Sequence, residues 1–319
     1  MSSTYPYTRV FAPTLSVTET HRRRWGVLLF VLVLLGVVSL FSTMIPDNPS
    51  YGAPLTVVMA DSRAPHVPNE GEDVPYWTIT ALLNYQYARE HGADFVYIVY
   101  QPDHPPTSSN SPVCTHPRLG ARAASWCKLP AVWEVLRTRS SQNVMFLDTD
   151  AIFRSTTVAP SRHLDHLTPF RPIGFVSNQP WNDGVCAGYF FVRREAASFL
   201  KAWWDQEVPR KNLHRLWEQE ALDKLLATSV PHHNQSLANP PYADQIVKLA
   251  SERQFKVEDP QQLILHITSE EANRYALIRD RWDQVTSLKD RDGLRALLDQ
   301  VPIVRMNASA VAVMMEEEV

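Results

Sequence analysis

Short, wholly apolar runs alternate along the chain with longer stretches whose apolar residues recur every three or four positions. Val57-Val58-Met59-Ala60 ends on the polar Asp61 and predicts a first buried strand. After Pro75, residues Ile79, Leu82, Leu83 and Tyr87 share one helical face, and His91-Gly92 stops the pattern. Phe95 to Tyr100, β-branched and aromatic, predicts a second strand. Residues 101–120 are rich in Pro and Ser and predict a loop. Trp126 to Arg137 predicts a helix entered at Leu129-Pro130, with proline near its first turn, and Val144 to Leu147 a third strand. Ile173–Ser177 and Tyr189–Val192 read as strands, and Ala196–Glu207 as a helix with Phe199 and Trp203 on one face. Leu216–Leu226 reads as a further helix and Leu263–Leu265 as a late strand. This alternation predicts an α/β fold, a mostly parallel central sheet flanked by helices. The segment after Pro302 ends in Glu316-Glu317-Glu318 and reads as a frayed tail.

One apolar run belongs to no such unit. Trp25 to Ile45 carries no charge over 21 residues, about 31 Å as a helix, the thickness of a bilayer core. A cleaved signal peptide is the other reading. The run is longer than a typical signal core, 24 residues precede it, and Met44-Ile45-Pro46 makes a poor cleavage site. Arg22, Arg23 and Arg24 on its N-terminal flank place residues 1–24 in the cytosol. The expected organisation is a cytosolic tail (1–24), a signal-anchor helix (25–45), a short stem (46–54), a lumenal domain (55–300) and a C-terminal tail (301–319). That plan suits a single-pass type II protein of the Golgi or endoplasmic-reticulum membrane. Sequons at Asn234 and Asn307 agree with a lumenal domain. In an oxidising lumen Cys114 and Cys127 are candidates to close a short loop, with Cys186 a buried thiol; the alternative is three unpaired cysteines.

Composition narrows the chemistry. With 31 Lys+Arg against 34 Asp+Glu the net charge is −3, which argues against a nucleic-acid partner. Hydrophobic residues make up 45% and charged residues 20%, which excludes a disordered chain. Ten Gly against 24 Pro point away from Gly-rich phosphate cradles and toward Pro-bounded loops. The sharpest feature is Asp148-Thr149-Asp150, directly after the apolar run Val144–Leu147 and before Ala151-Ile152-Phe153. Ligands of open α/β sheets bind beyond the carboxyl ends of strands. Two carboxylates one residue apart there can hold a hard divalent cation beside a phosphate oxygen. A turn capped by two aspartates is the bland alternative; against it, charges are seldom set inside an apolar stretch unless paired or bound to metal.

Several blocks occur together in an ordered set: Asn84-Tyr85-Gln86-Tyr87-Ala88 with His91-Gly92, Trp126-x-Lys128-Leu129-Pro130, and Leu147-Asp148-x-Asp150-Ala151. Ala187-Gly188-Tyr189-Phe190-Phe191-Val192-Arg193, Glu218-Gln219-Glu220-Ala221-Leu222 and Ile264-Leu265-His266 follow. Over roughly residues 55–275 this set resembles glycosyltransferase family 34, which holds fungal galactosyltransferases, mannan α-1,6-mannosyltransferases and plant xyloglucan xylosyltransferases. The resemblance implies a GT-A (Rossmann-like) fold, a nucleotide-diphosphate-sugar donor linked through UDP or GDP, a glycan or glycoprotein acceptor, Mn²⁺ or Mg²⁺, and retention of configuration. It implies Asp148, Asp150 and His266 as metal ligands, with Asp150 and Gln219 at the reaction centre. Asp148, Lys128, Ala187, Gly188 and Asp61 would bind the donor, and Trp181, Asn182 and Asp183 would shape the acceptor side. Lys128 as a solvated lysine, His266 as a structural histidine and 181–183 as a plain loop are the competing readings. Two departures stand out: Cys186 where the family commonly has Asn, and Ile267-Thr268-Ser269 where it commonly has Gly and Cys after the histidine. A metal-dependent phosphohydrolase and an inactive membrane-tethered sugar-binding module are the alternative functions.

Overall fold

The computed structural model describes residues 55–101, 113–154, 159–160, 164–177, 185–207, 218–227, 246–249, 263–267, 274–285 and 291–318. The apolar run Trp25–Ile45, the sequon at Asn234 and Trp181, Asn182 and Asp183 lie outside them. Among the described residues no helix is long and apolar enough to cross a membrane.

β1 (Leu55–Asp61) feeds α1 (Tyr76–Glu90), which returns to β2 (Asp94–Tyr100). Gly92, at φ 65°, supplies the left-handed turn that ends α1, a conformation a side chain disfavours. A hairpin of β3 (Cys114–His116) and β4 (Gly120–Arg122) leads through a 3₁₀ turn, Ala124–Cys127, into α2 (Lys128–Thr138). The next elements are β5 (Asn143–Leu147), β6 (Ala151–Phe153), β7 (Ile173–Ser177), β8 (Val185–Arg193), α3 (Ala197–Trp204) and α4 (Glu218–Ala227). The last are β9 (Ile246–Leu249), β10 (Ile264–His266), α5 (Arg274–Val285), α6 (Arg291–Leu298), β11 (Ile303–Met306) and α7 (Ala308–Glu318).

Among the described residues β11, β2, β1, β5, β8, β7 and β9 form one sheet in that order. β11 to β5 run parallel, β8 is antiparallel to both neighbours, and β9 is parallel to β7. The apolar runs are long because both faces are covered: every residue of β5 and β8 is buried. On one face Val58, Phe146, Phe190 and Val192 pack with Trp126, Trp133, Phe199 and Trp203 of the α2 and α3 side. On the other Val57, Met59, Leu147 and Tyr189 pack with Ile79 and Leu82 of α1, Trp282 of α5 and Leu294 of α6. The result is a three-layer α/β domain.

The segment after Pro302 is not a frayed tail. β11 extends the sheet beyond β2, with Gln101 N–H donating to Met306 O at 2.8 Å. α7 then buries Ala308, Val311, Ala312 and Met315 in the core. Asn307 of the second sequon caps this helix, its Oδ1 accepting from Ala310 N–H at 3.0 Å. The Pro/Ser-rich stretch also contains β3, and Cys114 is bonded to Cys127. Cys186 is a free, buried thiol.

β6 lies off the main sheet and pairs antiparallel with β10, setting His266 opposite Ala151. Asn84 fixes β6 to α1: its Nδ2 donates to Ala151 O at 2.9 Å and its Oδ1 accepts from Phe153 N–H at 3.1 Å. Asn84→Leu leaves both buried backbone groups unpaired. It should destabilise the domain by about 2–4 kcal/mol, read as a lowered urea midpoint with an unchanged slope.

Candidate metal centre

Asp148 and Asp150 follow β5 directly, at the seam where the parallel half of the sheet meets antiparallel β8. Asp148 N–H donates to Gly188 O at 2.7 Å, extending the β5–β8 ladder to the first aspartate. Ala151 N–H donates to Asp148 O at 3.0 Å, and Ile267 N–H to Asp150 O at 2.9 Å, so the turn is held from both sides. β10 then brings in His266, whose Nε2 lies 3.2 Å from Asp150 Oδ1. Ligand atoms of Asp148, Asp150 and His266 all lie within 4.8 Å of one another. The three residues singled out as ligands thus converge from two distant stretches of chain.

Gly188 makes room for this. A Cβ built on it would stand 2.2 Å from His266 Cε1 and 2.6 Å from Nε2, so the imidazole occupies the space a side chain would take. Burial disfavours a charged His266, but Cys186 and Asp150 outweigh it and hold its pKa well above the usual histidine range. A cation at this centre would take the place of the Nε2 proton.

Lys128 is not a solvated lysine, and it does not reach into an open pocket. Its side chain is 2% exposed, and its ammonium meets Asp148 Oδ1 at 2.9 Å, Glu218 Oε1 at 2.8 Å and Ala187 O at 3.1 Å. Three protons meet three acceptors, so Lys128 acts on a ligand through Asp148. Burial opposes its charge, and the two carboxylates more than offset that and raise its pKa. Asp148 is pushed up to about 6: burial, with Asp150 and Glu218, outweighs the pull of Lys128.

The centre gathers several carboxylates. Among the described residues, Asp148, Asp150 and Glu218 bring three carboxylates to the Lys128 ammonium and the His266 imidazole. Glu218 Oε2 is moreover buried without a hydrogen-bond partner among the described residues. Two carboxylates and an imidazole form an oxygen-and-nitrogen donor set that suits a hard or borderline divalent ion.

Gln219 is a brace. Its Oε1 accepts from Ala187 N–H at 2.7 Å, and its Nε2 donates to Val185 O at 2.6 Å and to Asp223 Oδ1 at 3.2 Å. It fixes the backbone at the start of β8, where Ala187-Gly188 borders the centre. Asp61 ends β1 and accepts from Arg63 N–H, Nε and Nη2 and from Thr149 Oγ1, at 2.6–3.0 Å. With the Ser62 hydroxyl at 3.4 Å these donors fill the carboxylate, so Asp61 reaches the centre by holding Thr149, between the two aspartates. Arg63 in turn lies over Trp77, 4.3 Å from the ring centroid.

Asn84, Cys186 and Glu218 were not assigned roles by sequence reasoning, although each stands in or beside a quoted block. A polar residue among buried apolar ones was the available signal. A second cluster, His116, Asp205 and Glu316, also gathers possible ligand atoms. There His116 Nδ1 already accepts from Arg118 and Leu119 N–H, at 3.0 and 3.1 Å, which places the proton of the neutral ring on Nε2, toward Asp205. Lys201 and Arg118 neutralise the carboxylates, and the cluster is an ion-pair network tying α7 to α3. A cavity of about 480 Å³ between Pro68–Val74 and α5 and α6 contains none of the three metal-centre residues.

Gly188→Ala should force the imidazole to move and lower Mn²⁺ affinity at least tenfold. It should also cost about 1–3 kcal/mol of stability from overpacking. In a His266→Ala background the same change should cost little. A double-mutant cycle in urea, with Mn²⁺ titrations alongside, measures that coupling.

No protein-family model matches the chain, and no curated protein matches it. Among solved structures it is similar to a glycosyltransferase involved in glycosylation of the major capsid of PBCV-1, at 15% identity and a TM-score of 0.49, covering 73% of this chain and 100% of that one. It is similar to the apo-form glycosyltransferase GlyE of Streptococcus pneumoniae TIGR4 at 13% identity and a TM-score of 0.40, with 84% of this chain covered. The match spans 64% of GlyE. It is also similar to the catalytic domain of Drosophila beta1,4-galactosyltransferase 7 in complex with xylobiose, at 9% identity and a TM-score of 0.37, covering 80% and 92% of the two chains.

Proposed function

We propose that the chain is a divalent-metal-dependent glycosyltransferase of GT-A architecture. It moves a hexose or pentose from a nucleotide-diphosphate sugar to a glycan or glycoprotein acceptor, with retention of configuration. The observation that carries this reading is the convergence of Asp148, Asp150 and His266 beyond the carboxyl end of β5, within the blocks that resemble family 34. When bound, Mn²⁺ or Mg²⁺ supplies Lewis-acid neutralisation of the charge on a departing diphosphate.

The chain's own residues do the rest. Asp148 and Asp150 present carboxylates to the cation, and Lys128, itself paired with Glu218, keeps Asp148 in place. Gln219 holds Ala187 and Val185, and the bare backbone of Gly188 leaves room for the His266 imidazole beside Asp150. Gln219, an amide with both ends bonded to β8 and Asp223, does not supply the general base that an inverting enzyme needs. The leaving phosphate takes the acceptor hydroxyl's proton on the same face, and the product keeps the donor's α configuration. Trp181, Asn182 and Asp183 are proposed for the acceptor side, and Trp25–Ile45 for a type II anchor in the Golgi or endoplasmic-reticulum membrane.

Full-length protein in detergent, given Mn²⁺ and a panel of nucleotide sugars, should release nucleoside diphosphate and form an α-glycoside. Inorganic phosphate as product would replace this reading with a phosphohydrolase, and sugar binding without turnover would replace it with a binding module. Asp150→Asn should keep the melting temperature and lose about 10²-fold or more in turnover; near-normal turnover in the folded variant would end the assignment. Protease added to sealed microsomes should remove only a short N-terminal piece. Digestion of the large domain would reject the lumenal orientation.

A further inference from the structure

An imidazole binds a cation through one nitrogen only if that nitrogen presents its lone pair, so the ring proton must sit on the other. At His266 the nitrogen toward Asp150 is Nε2, at 3.2 Å. Nδ1 must then carry the proton, and a buried N–H without an acceptor costs about 1–3 kcal/mol. The atom beside Nδ1 is Cys186 Sγ, at 3.5 Å. Gly188 N–H donates to the same sulfur at 3.4 Å, so Sγ faces two ring or backbone nitrogens at once. Cys186 is 6% exposed and His266 8%. The ring fills the space left open at Gly188 and meets Tyr189 edge-on, which holds its orientation.

We propose that Cys186 is a positioning residue that fixes the metal-binding tautomer of His266: its sulfur accepts the Nδ1 proton and leaves Nε2 to the cation. This rests on the metal reading given above. The opposite arrangement, the thiol donating to Nδ1, leaves a proton on Nε2 facing Asp150 and closes that position to a metal ion. Histidine ligands commonly give their second N–H to a carboxylate or a carbonyl. In this chain a sulfur takes that part, from the strand next to the ligand and not from a separate shell of polar residues.

The test compares full-length wild type, Cys186→Ala and Cys186→Ser in detergent. Free Mn²⁺ is followed by electron paramagnetic resonance, and melting in EDTA reports folding. Cys186→Ala should bind Mn²⁺ about 10- to 100-fold more weakly, while Cys186→Ser, whose hydroxyl can accept the same proton, should stay close to wild type. Imidazole ¹⁵N spectra of the Mg²⁺-loaded protein should show His266 protonated on Nδ1 in wild type and Cys186→Ser. Equal Mn²⁺ affinity in wild type and Cys186→Ala, equal weakening in both variants, or a Nε2 proton in loaded wild type would overturn the role of Cys186. Should Cys186→Ala fail to melt cooperatively, the wild-type tautomer and the Cys186→Ser affinity decide. A wild type that binds no Mn²⁺ at all would remove the metal reading itself.

Discussion

One buried ammonium holds the centre together. Lys128 stands at the first turn of α2, and its three protons go to the turn after β5, the start of α4 and the backbone of β8. These segments are far apart in sequence and would otherwise meet only as the ends of separate elements. Removing one partner of such a buried pair costs about 3–5 kcal/mol, because the group left behind stays charged and unpaired. The residue before it, Cys127, is tied by its disulfide to β3, so the approach of α2 is fixed covalently. Asp148 is placed by this ammonium, and Asp150 and His266 are placed by the β6–β10 pair that Asn84 fastens to α1.

The direction of β8 matters as much as the charges. Up to β5 the strands are parallel and their carboxyl ends open on one edge. β8 runs the other way, so the amino-terminal part of a strand, Val185 to Gly188, lies beside the carboxyl end of β5. Peptide groups and small side chains thus face the two aspartates where a parallel neighbour would have brought a connecting loop.

The sheet was largely legible because its strands are buried on both faces and read as unbroken apolar runs. The helix before Gly92 was legible from its periodicity and its stop. β8 is longer than the run Tyr189–Val192 suggested, because Cys186 and Gly188 interrupt the apolar pattern where the strand meets the centre. The last segment was misread because Glu316-Glu317-Glu318 hides a buried stripe at Val311, Ala312 and Met315. β3 and β4 span three residues each, too short for any period to show. At the centre, Asp148, Asp150 and His266 were visible as residue types following strands. What each of Lys128, Glu218, Gln219 and Asp61 touches was not, since those partners are set by packing between distant segments and leave no spacing to read.

The position of β11 has a consequence for how the molecule is made. Its partner β2 leaves the ribosome some 200 residues earlier. At roughly 5–20 residues per second, the edge of β2 waits about 10 to 40 s for the strand that covers it. Throughout that interval the nascent chain carries an unpaired, apolar strand edge, the feature that recruits a second polypeptide. A chain that stops after Gln300 carries Asp148, Asp150 and His266 on a sheet whose β2 edge lacks the strand that covers it.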